Sequence, residues 1–83
     1  MNMSVKIERK TLQELIVFKL QHIQNLMRSI LEKWKEENSE DFILKAKNGE
    51  LKDAEMDAIT MRQLLADYDR LKNIYDSIAS EDQ

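Results

Sequence analysis

From Leu12 to Trp34 an apolar side chain returns at every fourth or third position: Leu12, Ile16, Leu20, Ile23, Met27, Ile30 and Trp34. At about 100° per residue, these seven fall within about 40° of one line along a helix surface. Glu14, Gln21, Asn25 and Glu32 take the opposite side. Thr11-Leu12-Gln13-Glu14 stands directly before the run and has the T-x-x-E form of a capping box. The spacing predicts a helix over about 11–37, about 40 Å long.

The rest of the chain favours the same structure. It has one glycine, no proline and no cysteine in 83 residues. Sandwiches and barrels need a turn signal every ~8–12 residues, so the composition argues against an all-β fold. Without cysteine there is no disulfide framework, thiolate metal site or cysteine nucleophile. Small secreted domains usually depend on disulfides, which points to a reducing cytoplasm. No apolar run approaches the ~18 residues of a membrane span. Charges stand where a signal peptide would carry its apolar region.

Beyond Trp34 the acid-rich stretch Glu36-Glu37-Asn38-Ser39-Glu40-Asp41 interrupts the stripe. Anions suit a helix N-terminus and oppose a C-terminus. The first helix is therefore expected to end near Asn38, with Ser39 capping a short helix that carries Phe42, Ile43, Leu44 and Ala46; the alternative is a first helix that runs straight through, since no glycine or proline forbids it. Asn48-Gly49 suits a helix C-cap with the glycine left-handed. A last helix is expected from near Asp53. It presents Ala54, Ala58, Met61, Leu65, Tyr68, Tyr75 and Ala79 on one face, with Leu64, Leu71 and Ile78 widening it. Lys72 lies at ion-pair spacing from Asp69 and Asp76.

These elements predict an all-α antiparallel hairpin, a single domain over 1–83 with fraying over 1–10 and 80–83. A lone hairpin leaves part of each stripe wet, and cores of this size are marginal. Two hairpins packed as a four-helix bundle remove that exposure, so a homodimer is expected.

Charge divides unevenly. Residues 1–35 hold seven bases and three acids, a net +4, whereas 36–83 hold six bases and thirteen acids, a net −7. Two oppositely charged helices side by side account for this. The net charge of −3 argues against nucleic acid, although Lys10, Arg28 and Lys35 share a flank of the first helix.

His22 lies on the other flank with Leu15, Phe18 and Leu26. It lacks the companion ligands at helical spacing that a metal site requires. Phe18 points almost opposite Ile16 and Leu20. The patch it forms with Leu15 and Leu26 awaits a partner or second protomer, unless residues 39–48 cover it. Asp53, Glu55 and Asp57 lack the glycine of a calcium loop and instead complement a helix dipole. Tyr68 and Tyr75, flanked by Asp67, Asp69 and Asp76, serve core or interface packing. Met27, Met56 and Met61 read as gap-fillers.

No catalytic, metal or cofactor motif is found. The sequence supports a non-enzymatic homodimer that adapts, inhibits or regulates a larger protein. The expected interface residues are Leu15, Phe18, His22, Leu26, Leu65, Tyr68 and Tyr75. A nucleic-acid-associated regulator using the basic N-terminal half is the alternative.

Overall fold

A computed structural model describes the backbone of residues 2–81 and the side chains of residues 8–80. Three helices follow one another: α1 over Asn2–Trp34, α2 over Ser39–Lys47 and α3 over Glu55–Glu81. No strand occurs among the described residues. The fold is the all-α hairpin of two long helices with a short helix between them.

The helix boundaries differ from the sequence-based ones. α1 begins at Asn2, so Thr11 sits inside the helix and caps nothing. The segment before it contains neither glycine nor proline, and an uninterrupted backbone ladder displaces a local cap. Asn2–Lys10, expected to fray, is helical; Met1, Asp82 and Gln83 lie outside the described residues.

α1 ends at Trp34 instead of near Asn38. Lys35 turns left-handed at φ 56°. Its N–H donates to the Glu32 carbonyl at 3.2 Å, and the Glu36 N–H donates to the Leu31 carbonyl at 2.9 Å. This is a Schellman closure, formed with lysine where glycine is usual. Asn38 is the N-cap of α2 in place of Ser39: its side-chain oxygen accepts from the Asp41 N–H at 2.8 Å. The expected C-cap is observed at Asn48-Gly49. Gly49 has φ 80°, and the Glu50 N–H donates back to the Lys45 carbonyl at 2.9 Å. Asp53, expected to open the last helix, stands in the connection at φ 64°. The Ala54 carbonyl accepts the first bond of α3, from the Ala58 N–H.

The two left-handed positions predict opposite responses. Gly49→Ala is expected to lose about 1 kcal/mol, because a Cβ there meets no neighbour but is strained by its φ. Lys35→Gly is expected to gain a comparable fraction of a kcal/mol by relieving the same strain. Urea titrations of the two variants measure both effects.

Side-chain bonds set the register of α1 against α3. The Gln24 amide donates to the Tyr68 hydroxyl at 3.1 Å. Trp34 Nε1 and Lys33 Nζ both donate to Asp57 Oδ2, at 2.8 and 2.9 Å. The helices are therefore antiparallel. Ile16, Ile23 and Ile78 are buried along the seam. At the closed end α2 folds across both helices, and Phe42, Ala46, Ala54, Ala58 and Met61 make the continuous core. The alanines let α2 approach α3 closely, since the side chains at a contact set the interaxial distance. The result is a rod of 56 × 18 × 17 Å, too thin to bury both flanks of α1.

Candidate interaction surface

Leu15, Phe18, His22 and Leu26 are spaced by three, four and four residues, which places them on one stripe of α1. The stripe lies well round the helix from the buried Ile16 and Ile23. All four side chains are exposed, Phe18 to 71% and Leu15 to 60%. Helix α2 does not cover them. The residues of α1 that pack against the α2 core are Met27, Ile30, Leu31 and Trp34, all nearer the turn. Burial of Phe18 by residues 39–48 is thus overturned: α2 is too short, and docks at the closed end.

The other three expected interface residues lie elsewhere. Leu65, Tyr68 and Tyr75 are half-buried. Tyr68 uses its hydroxyl within the hairpin, on Gln24, and Leu65 packs against the core under α2. The structure therefore divides the seven residues into an outward stripe on α1 and inward side chains on α3. It does not gather them into one surface.

Further expectations change for physical reasons. Met56 is 73% exposed and fills no gap, unlike the fully buried Met61. Lys72 is exposed and makes no ion pair with Asp69 or Asp76; along α3 the recorded pair is Arg70 with Asp67, at 3.6 Å. Lys35 has left the helix, so it no longer shares a helical flank with Lys10 and Arg28. Among the described residues, no group of three or more histidine, cysteine or acidic side chains is placed to hold a metal ion.

The closed end carries a polar clasp that spacing did not reveal. Asp57 lies in the first turn of α3, as dipole complementarity requires. It also accepts from Lys33 and from the indole N–H of Trp34. The Lys33 hydrogen bond, followed by that of Trp34, holds its carboxyl below the usual carboxylate range. Lys33 Nζ lies 5.4 Å from the Trp34 ring centroid, and that ring lies 6.1 Å from Phe42 at an interplanar angle of 35°. The clue in sequence was Trp34 itself, whose indole N–H needs an acceptor once covered. Nothing in the spacing identified the acceptor on another helix. Beside the clasp, Lys45 meets Glu36 at 2.8 Å, and the hydrogen bond to Glu36 raises the lysine pKa.

Asp57→Ala is expected to cost about 1–3 kcal/mol by leaving the half-buried indole N–H unpaired. Asp57→Asn should cost less, because its amide oxygen still accepts from Trp34. The wild-type advantage over Asp57→Asn depends on pH with a definite sign. The folded carboxyl titrates below the unfolded one, so the contribution is complete above about pH 4 and disappears as pH falls through the lower, folded value. Unfolding titrations of both proteins along an acid series check this.

Two open clefts flank the hairpin. One, of about 340 Å³, lies between α2 and α3 and is lined by Ile43, Ala46, Lys47, Glu55, Ala58, Ile59 and Arg62. The other lies toward the far end, over Lys10, Gln13, Glu14, Val17 and Tyr75. No helix among the described residues is long and apolar enough to cross a membrane. No protein-family model, curated protein or solved structure matches this chain.

Proposed function

We propose that this protein acts without catalysis, through protein–protein contact, as a cytoplasmic homodimer that adapts, inhibits or regulates a larger protein. The observation that carries this reading is the stripe of Leu15, Phe18 and Leu26 on the open flank of α1. Covering apolar surface contributes about 25 cal/mol per Å², and an exposed phenylalanine between two exposed leucines is a natural nucleus for contact. A second copy offers the same stripe, so a two-fold arrangement covers both at once. The absence of cysteine suits a reducing compartment.

Sedimentation equilibrium is expected to give twice the chain mass of 9.9 kDa at micromolar concentration, with no duplex-DNA binding at physiological salt. A single-chain mass at high concentration overturns the homodimer. DNA binding that falls steeply with salt, and is lost when Lys10, Arg28 and Lys35 become alanine, replaces this reading with nucleic-acid regulation.

A further inference from the structure

We propose that the groove between α2 and α3 is a docking site for an amphipathic helix of a partner protein, one whose apolar anchor is flanked by carboxylates. This rests on the reading that the chain works by protein contact, but not on the homodimer, because no residue of α1 lines the groove.

The floor is formed by Ala46 and Ala58, both buried. Two alanines facing each other across a helix pair leave a trench where larger side chains would close it. Ile43 and Ile59 make its walls, and Ile59 is 51% exposed. An apolar anchor seated here would remove both isoleucines from water. The trench runs between α2 and α3, and an amphipathic helix lays its apolar face into a groove of this kind.

The rim specifies the charge of the occupant. Lys47 and Arg62 are exposed and make no ion pair among the described residues; Lys52 and Lys72 make none either, but they do not line the groove. Lys47 and Arg62 stand in the half of the chain where acids outnumber bases thirteen to six. Against these two cations the lining has one anion, Glu55. Two unpaired bases at the rim, against one carboxylate, attract carboxylates and repel the basic α1 of a second copy.

The test starts from a phage-displayed library of helical peptides selected against the full chain, with the best peptide followed by NMR titration. The selected peptides are expected to place Asp or Glu one helical turn from an apolar anchor. On titration they should shift Ile43, Ala46, Ala58 and Ile59. Charge reversal at both rim positions, Lys47→Glu with Arg62→Glu, should weaken binding about tenfold or more, and selection against that variant should return Lys- and Arg-rich peptides. Both positions are exposed, and unchanged Trp34 fluorescence establishes that the variant is folded. Failure to select a binder overturns the proposal, as does binding indifferent to the charge reversal. Peptides that map to Leu15 and Phe18 also overturn it, while leaving the protein-contact reading standing. Groove resonances that move on simple dilution overturn it too, since the occupant is then a second copy.

Discussion

Phe42→Ala is expected to leave the chain barely stable at room temperature. Phe42 is fully buried, is the one large anchor that α2 drives into the core, and packs against the Trp34 ring. Truncating such a residue costs about 3–5 kcal/mol. Small domains hold the lower part of the ~5–15 kcal/mol range of folding stability, so one side chain accounts for most of the total. The loss should spread beyond α2. With the ring gone, Ala46, Ala54 and Ala58 lose their cover, and Trp34 loses the surface that orients its N–H toward Asp57. Trp34 is the only tryptophan, so its fluorescence through a urea titration reads the closed end directly. Leu44→Ala, on the same helix but 55% exposed, is the control and should stay within about 0.5 kcal/mol of wild type. A Phe42→Ala protein within about 1 kcal/mol of wild type would show that α2 is not held by this core.

The second large effect concerns assembly. Leu15→Glu combined with Phe18→Glu places four like charges across the proposed two-fold interface, and is expected to convert the proposed dimer to a single chain of 9.9 kDa. Both side chains are exposed within the hairpin, so helical content should be unchanged. The thermal midpoint should fall and lose its dependence on concentration, which mass action requires if the wild type is a dimer. Leu65→Glu acts differently. Its side chain packs against the core, and burying a carboxylate there is costly, so the chain should be strongly destabilised and not merely dissociate. A wild-type melting point independent of concentration, or a double variant that still sediments as two chains, would refute the homodimer.

Much of the architecture is written in short-range patterns. The four-three recurrence from Leu12 to Trp34 relates neighbours on one helix face, so it encodes a helix without reference to anything distant. Gly49 is equally local: its left-handed φ is cheap only for glycine, and a C-cap needs such a residue. The place of Phe18 on a flank away from Ile16 was also readable, because its angle on the helical wheel follows from geometry alone; whether residues 39–48 cover it was not.

Other features depend on contacts far apart in sequence. A T-x-x-E box reads the same whether or not the helix continues behind it, so Thr11 could not reveal that α1 runs from Asn2. Lysine has no preference for the left-handed region, yet Lys35 adopts it, because the chain must turn there for Asn38 to cap α2 and for Phe42 to reach Trp34. Nor could periodicity show which copy of an apolar face is covered. Tyr68 faces Gln24 and Leu65 faces the core under α2, while Leu15 and Phe18 face nothing within the chain. The sequence by itself determined that the chain is helical, roughly where each helix lies and which residues form each stripe, because those properties are periodic and local. Only the tertiary structure decided where α2 docks, which half of each stripe it covers and that Asp57 receives the Trp34 indole, because those depend on how three helices fill one shared volume.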